Sequence, residues 1–288
     1  MKEDEVIVVD GIGHADYDSL ITDCVKYAII SLPFTVNRMD IPDFKKRAKN
    51  IDKGKIAEAL FQLFCRANNI NADFDACATP FWTVDNRDFL LNGYEWDIKN
   101  NFYYCSGDIY SGKYTHFPAL IPNRYDGDQW SKRDCCRHLG ANGVKFLFSF
   151  LKGADLENDE RGQEFLDINM SQDQLNLISK LHKYYNGQPQ QKRPFSEDKF
   201  WKRFGNGDTS LFSLHNRPSL VITAVAGEGD WDKFQNTDPT KFLNGTICTK
   251  ITNKTCPISQ LPSFLSLYPH LREKIVLGHI RKYQESGQ

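Results

Sequence analysis

The chain lacks the features that mark a membrane, secreted or strongly basic protein. No apolar run in its 288 residues approaches the roughly 20 residues that a membrane-spanning helix needs. The run from Val6 to Val9 is also shorter than the apolar core of a secretory signal peptide, which takes about 7–15 residues. A net charge of −1 argues against a basic coat protein of nucleic acid, although a local binding groove stays compatible with it. These absences predict an intracellular, cytoplasmic protein.

The chain also lacks any Cys-x-x-Cys pair, although it has eight cysteines. Such pairs are the usual framework of structural zinc sites and redox motifs. Cys135, Cys136 and His138 are too close along the chain to complete a tetrahedral zinc site by themselves. A chain of this length does not need disulfides to stabilise its core, so we expect free thiols in a reducing cytosol.

Helical and strand patterns alternate along the chain, which is typical of an α/β or α+β fold. Apolar residues recur at helical spacing in three segments, at about Asp16 to Ser31, Lys55 to Asn69 and Ser171 to Tyr184. Two nearly continuous apolar runs, 144–151 and 219–226, are typical of buried strands. The segment from Pro262 to Tyr283 is predicted to be helical with a break at Pro269. We therefore expect a central mixed β-sheet flanked by helices.

A β-hairpin is the most informative local prediction. Asn92-Gly93 lies between two runs of alternating side chains, which is the strongest short-range signal for a two-residue hairpin turn. That turn places ten side chains on two faces: Phe89, Leu91, Tyr94, Trp96 and Ile98 on one, and Asp88, Leu90, Glu95, Asp97 and Lys99 on the other. Asp88 then lies opposite Asp97, and a divalent cation between them would relieve their repulsion. The pattern predicts half of a metal site with Lys99 beside it and Glu95 at its periphery.

The order of these residues resembles the PD-(D/E)-x-K nuclease superfamily, which includes the type II restriction endonucleases. Glu58 lies in the first turn of a predicted helix, Asp88 begins one strand, Asp97-Ile98-Lys99 lies on the next, and a buried strand follows at Val144. The resemblance covers roughly Gly54 to Leu151. Arg87 stands where the family's nominal motif has proline, and Asp85 competes with Asp88 as the first acid. The implied fold is a restriction-endonuclease-like core with additional N- and C-terminal elements.

The resemblance implies a Mg²⁺-dependent endonuclease that hydrolyses double-stranded DNA, with Mn²⁺ as a possible substitute metal. Asp88, Asp97, Glu58 and the main-chain carbonyl of Ile98 would hold the metal, since Mg²⁺ prefers oxygen ligands. Lys99 would orient the attacking water and stabilise charge on the phosphate. The catalytic residues expected are Asp88, Asp97, Lys99 and Glu58.

Domain organisation follows from a turn-rich segment at 186–194, which is the best candidate for a linker. We expect residues 1–185 to form the catalytic core with an N-terminal helical extension. Residues 195–288 would pack on that core and serve DNA recognition or dimerisation. A homodimer is expected by analogy, because a palindromic DNA site matches a two-fold axis.

Two alternatives stay open at this level. The first is another nuclease of the same superfamily, acting on RNA, in repair or recombination, or as a defence effector. The second is a catalytically inactive nucleic-acid-binding protein on the same fold. The filled acidic and lysine positions argue against the second alternative.

Overall fold

A mixed six-stranded sheet is the centre of the fold, within the residues that the computed structural model describes: 1–35, 37, 40–83, 87–103, 113–153, 165–185, 194–205, 210–243 and 247–282. In spatial order its strands are β13 (Gly278–Ile280), β1 (Ile7–Val9), β8 (Ser219–Ala226), β5 (Val144–Lys152), β3 (Tyr94–Tyr103) and β2 (Phe89–Leu91). β3 and β5 are parallel, and the other neighbours are antiparallel. The predicted mixed α/β architecture is confirmed.

Helices cover one face of this sheet. They are α1 (His14–Ser31), α2 (Phe44–Ala67), α3 (Gln172–Tyr185), α4 (Glu197–Phe204) and α5 (Phe264–Leu267). Their apolar side chains pack with Phe89, Leu91 and Trp96 of the hairpin in the larger hydrophobic core. The predicted helices at about 16–31 and 171–184 correspond to α1 and α3, and the Ser171 hydroxyl accepts a hydrogen bond from Gln174 N in the first turn of α3.

Smaller sheets and turns cover the opposite face. The strands β4 (Pro118–Pro122), β12 (Asn253–Pro257) and β9 (Gln235–Thr237) form an antiparallel sheet. β10 (Lys241–Phe242) pairs with β11 (Ile247–Cys248) on this side of the sheet. β6 (Leu166–Ile168) pairs with β7 (Phe212–Leu214) on the helical side, where Leu166 and Ile168 belong to the larger core. The second core lies between the three-stranded sheet and the side chains of Phe146, Phe148 and Phe150 on β5. The central sheet is therefore buried on both faces where the site residues lie.

Helix α2 is longer than the sequence pattern predicts. It starts at Phe44, after Asp43, whose carboxylate accepts hydrogen bonds from Lys45 N and Lys46 N. Gly54 lies inside this helix, at a cost of about 1 kcal/mol relative to alanine. Burial of α2 between α1 and the sheet offsets that cost. The prediction that Glu58 lies in a first turn is therefore wrong, because it lies in the middle of a 24-residue helix.

The predicted helix from Pro262 to Tyr283 is also wrong for most of its length. α5 spans only four residues, a turn of 3₁₀ helix follows at Pro269–Arg272, and the chain then forms β13 on the edge of the central sheet. The Asn68 side chain fixes this path, because its Oδ1 accepts from Val276 N and its Nδ2 donates to Val276 O. Long-range contacts of this kind, between a side chain and a distant main chain, leave no local pattern in the sequence.

Residues from both predicted regions share one sheet. β8, from the region 195–288, lies between β1 and β5. Most of the predicted linker, at 186–193, lies outside the described residues. No helix in the described part of the chain is long and apolar enough to cross a membrane.

Candidate functional site

The hairpin has the predicted register. Leu91 pairs with Tyr94, Leu90 with Glu95 and Phe89 with Trp96, so the turn has two residues. Asn92 and Gly93 both have positive φ, at 53° and 77°, as a type I′ turn requires. The alternation of side chains therefore follows the prediction, with Phe89, Leu91 and Trp96 in the core below α2.

Asp88 lies where the ladder between β2 and β3 ends. Its main-chain N donates to Trp96 O at 2.8 Å, and its carboxylate Oδ2 accepts from Ile98 N at 2.5 Å. The carboxylate is thus held by the main chain of β3, one residue beyond Asp97. Asp85, the competing first acid, lies outside the described residues.

The same hydrogen bond orients the Ile98 carbonyl. Within a strand, the N–H and C=O of one residue point to the same side. Because Ile98 N donates to Asp88, Ile98 O also points away from β5 and toward the side of Asp88. The arrangement places the predicted carbonyl ligand and the first acid on one side of β3.

Asp97 and Lys99 form a buried pair on the face opposite α2. Lys99 Nζ lies 2.5 Å from Asp97 Oδ2 and 2.7 Å from Gln129 Oε1. The two side chains are about nine-tenths buried, and Lys99 Nζ lies 4.9 Å from the centre of the Phe146 ring. Asp97 Oδ1 has no hydrogen-bond donor among the described residues, so this oxygen is available to a cation or a water molecule.

Glu58 approaches from the helical side of the sheet. It lies near the centre of α2, and its Oε2 is 2.5 Å from Lys55 Nζ, one turn earlier. Lys55 Nζ in turn lies 5.0 Å from the centre of the Tyr27 ring on α1. Both members of the pair keep about a fifth to a quarter of their side-chain surface exposed.

One cavity of about 470 Å³ joins these residues. β2 has three residues and β3 has ten, so β3 extends past its partner and leaves an open edge. The cavity lies at this edge, with α2 on one side and β4, β11 and β12 on the other. Its lining includes all five predicted site residues: Glu58, Asp88, Asp97, Ile98 and Lys99. The two faces of the sheet therefore contribute to one site.

A second cavity of about 320 Å³ adjoins the first. The two share Lys55, Glu58 and Asp88 in their linings, and the second also contains Arg87 and Asp75. The shared residues form the boundary between the two cavities, so Glu58 and Asp88 can be approached from both.

Glu95 was expected at the periphery of the metal site, but it lies in a separate buried contact. It is fully buried, with Oε2 3.0 Å from Arg87 Nε, and its Oε1 accepts hydrogen bonds from Arg137 N and His138 N. Burial favours the neutral acid, but these hydrogen bonds and the charge of Arg87 hold the pKa of Glu95 below its usual value. Glu95 is therefore a charged structural residue that ties the hairpin to the segment near 137.

The donor set fits a hydrated Mg²⁺ ion better than a metal enclosed by protein. Among the described residues, no three or more His, Cys, Asp or Glu side chains gather closely enough to hold a metal by themselves. Mg²⁺ usually keeps several waters and binds one or two carboxylates together with substrate phosphates. Asp97 Oδ1, the Asp88 carboxylate and the Ile98 carbonyl provide such a partial set.

Gln129 is a site residue that sequence reasoning missed. It begins a 3₁₀ segment, Gln129–Asp134, and reaches Lys99 across 30 positions of sequence. Other amides in the cavity lining were missed in the same way: Asn50, Asn100, Asn101 and Asn253. No local pattern distinguishes these residues from solvent-exposed amides.

Comparison of the chain with known protein families, with curated proteins and with solved structures finds no match.

Proposed function

We propose that the protein is a Mg²⁺-dependent endonuclease that hydrolyses phosphodiester bonds of double-stranded DNA. We propose further that it is a type II restriction endonuclease. The observation that supports this most is the single cavity lined by Glu58, Asp88, Asp97 and Lys99. Their order along the chain is that of the PD-(D/E)-x-K nucleases, and residues separated by up to 41 positions meet at one sheet edge. A surface ion pair between Asp97 and Lys99 would not need that convergence.

Each residue has a role in the proposed reaction. Asp88, Asp97 and Ile98 O would hold the metal, and Glu58 would bind one of its waters. A bound Mg²⁺ lowers the pKa of its water and polarises a phosphoryl oxygen. The Lys99 ammonium, held by Asp97 and Gln129, is placed to donate to the phosphate as negative charge develops there. In the reaction, the water gives up a proton to the solvent as its oxygen bonds to phosphorus. The P–O ester bond breaks with its electron pair on the leaving oxygen, which takes up a proton from water.

The uncharged part of the cavity supports a nucleic-acid substrate. Five carboxamides and the hydroxyl of Thr249 contribute to its lining. Carboxamides offer a donor and an acceptor together, which matches the edges of bases. We propose that these side chains contact DNA next to the cut, and that the enzyme acts in the cytoplasm as a homodimer on a two-fold symmetric site.

Cleavage of plasmid DNA tests the proposal directly. Purified protein with Mg²⁺ or Mn²⁺ is incubated with plasmid DNA, single-stranded DNA and RNA, and the products are sequenced at their ends. We expect discrete cuts in duplex DNA that EDTA abolishes. Asp97→Asn should abolish them, whereas Asp126→Asn, which changes an exposed carboxylate, should not.

Three outcomes would contradict parts of this proposal. Cleavage of RNA alone would overturn the DNA substrate and keep the nuclease chemistry. Cleavage that persists in Asp97→Asn would show that the reaction takes place at another site or comes from a contaminant. No cleavage of any nucleic acid, together with no Mg²⁺ or Mn²⁺ binding by calorimetry, would overturn the proposal that the protein is an enzyme.

A further inference from the structure

Gln129 is held firmly at the wall of the cavity. Its exposed fraction is 7%, and it starts the 3₁₀ segment that follows Asp128. Ser131 N donates to Asp128 O at 3.0 Å, which closes the turn. Arg87 Nη2 donates to Lys132 O at 2.6 Å and to Cys135 O at 2.7 Å. The segment is therefore attached to the residue that directly precedes Asp88.

The orientation of the Gln129 amide is determined by its neighbour. An ammonium group carries donors and no acceptor. The atom of Gln129 that lies 2.7 Å from Lys99 Nζ must therefore be the oxygen Oε1. The nitrogen Nε2 then points away from the ammonium and presents two N–H donors.

These donors have no acceptor in the described part of the chain. Gln129 makes one side-chain hydrogen bond there, through Oε1, and its side chain lines the cavity. Because Gln129 lines the cavity, a ligand or a water molecule there is what these donors can bind. The ligand expected beside Lys99 is an acceptor, because the lysine itself is a donor.

We infer that Gln129 is a further catalytic residue, which donates an N–H of Nε2 to a non-bridging oxygen of the scissile phosphate. The inference rests on the proposed function, since it needs a phosphodiester in the cavity. The amide gains and loses no proton in the reaction. It stabilises the charge that builds up on the phosphate oxygen while the water oxygen bonds to phosphorus and the ester bond breaks. A neutral donor does this without competing with the metal for Asp97.

A purely positioning role for Gln129 makes a different prediction. If its only task were to accept from Lys99, a glutamate would serve as well, because a carboxylate is a stronger acceptor for an ammonium. Gln129→Glu keeps that acceptor and removes the donors. Gln129→Met removes both, and Gln172→Met is a matched control on an exposed face of α3.

The experiment measures initial rates of plasmid cleavage with Mg²⁺ for the wild type and these three variants. Circular dichroism and thermal unfolding first establish that each variant is folded. If Gln129→Met does not fold, Gln129→Glu carries the test. We expect both Gln129 variants to lose about 10²–10³-fold in kcat, as after loss of one transition-state donor. The control should keep the wild-type rate.

A sulfur substitution separates donation from the added charge of glutamate. The DNA carries one phosphorothioate at the mapped cut, as either diastereomer, and sulfur accepts hydrogen bonds poorly. In the wild type, sulfur in place of the oxygen that contacts Gln129 should slow cleavage. In the Gln129 variants, the same sulfur substitution should slow cleavage less, and this reduction should occur for one diastereomer only. A wild-type rate in Gln129→Glu, or thio effects unchanged in both diastereomers, would overturn the inference and leave the nuclease proposal standing. Absence of any cleavage by the wild type would overturn both.

Discussion

Arg87 Nε lies 3.0 Å from Glu95 Oε2, and the side chains are 3% and 0% exposed. This pair joins the residue before Asp88 to the strand that carries Asp97 and Lys99. Through its Nη2, Arg87 also holds the carbonyls of Lys132 and Cys135, which fixes the segment that begins at Gln129. One buried ion pair therefore connects three parts of the proposed site.

Breaking this pair should destabilise the protein strongly. We expect Arg87→Met or Glu95→Gln to lower the free energy of unfolding by about 3–5 kcal/mol, because each leaves a buried charged group without its partner. The double variant should lose less than the sum of the two single variants. Denaturant unfolding followed by circular dichroism measures all three changes.

A surface pair is the control for that measurement. Arg124 Nη2 lies 2.5 Å from Asp40 Oδ2, but their side chains are 38% and 72% exposed. Arg124→Met should therefore cost no more than about 1 kcal/mol. An equal cost for Arg87→Met and Arg124→Met would show that burial of the Arg87–Glu95 pair has no energetic consequence.

Removal of the Lys99 charge should separate cleavage from DNA binding. We expect Lys99→Met to lower the cleavage rate by at least about 10²-fold, because it removes a donor that acts on developing charge. DNA affinity, measured by fluorescence anisotropy at fixed salt, should change far less, since one phosphate contact is a small part of the total. Lys180→Met, on the exposed surface of α3, is the matched control. A parallel loss of affinity and rate would mean that Lys99 acts in binding.

The buried Asp52 should make stability fall as pH rises. It is fully buried on α2, and neither carboxylate oxygen has a hydrogen-bond partner among the described residues. Burial raises the pKa of Asp52 well above its usual value, with a smaller opposing effect from Lys53. The native state thus keeps a proton that the unfolded chain releases near pH 3.9, about the reference pKa of aspartate. Its contribution is complete below that pH and is lost as the pH rises through the raised native pKa.

Asp52→Asn should remove this dependence of stability on pH, because the amide is nearly isosteric with the carboxyl group and has no titratable proton. We expect wild type and variant to be of similar stability at acid pH, with the variant gaining relative stability toward pH 8. Urea unfolding at a series of pH values gives the difference at each. Asp126→Asn should show no such trend, since that carboxylate is exposed. A difference for Asp52→Asn that does not change with pH would contradict a neutral carboxyl in the core.

The turn at Gly93 should be sensitive to substitution for two separable reasons. Gly93 has φ of 77°, and a Cβ there would lie 2.7 Å from Asn142 Nδ2. Gly140 has φ of 86° with nothing within 4 Å of a Cβ. Gly140→Ala should therefore report the cost of the left-handed conformation alone, about 1–2 kcal/mol, and Gly93→Ala should cost more. Thermal unfolding checks both, and equal losses would mean that Asn142 moves aside freely.

The sequence alone determined the hairpin and the relation between its residues. Asn92-Gly93 selects a two-residue turn, and the period of two then decides which side chains share a face. This is why the register, the common face of Asp97 and Lys99 and the place of Asp88 at the strand end could be predicted. The strands at 144–151 and 219–226 could also be predicted, because a strand buried on both faces is apolar throughout.

Only the tertiary structure decided which residues meet the hairpin. The contacts of Glu95 with His138 and of Lys99 with Gln129 span 43 and 30 positions, and a polar residue at either position carries no sign of its partner. Burial against α1 and the sheet stabilises α2 as a continuous helix across Gly54. Pairing with β1 stabilises β13 as a strand, in a segment that the sequence predicted to be helical. Local patterns report the preferences of neighbouring residues. The site instead depends on long-range packing, which brings α2, the hairpin and the segment at Gln129 to one edge of the sheet.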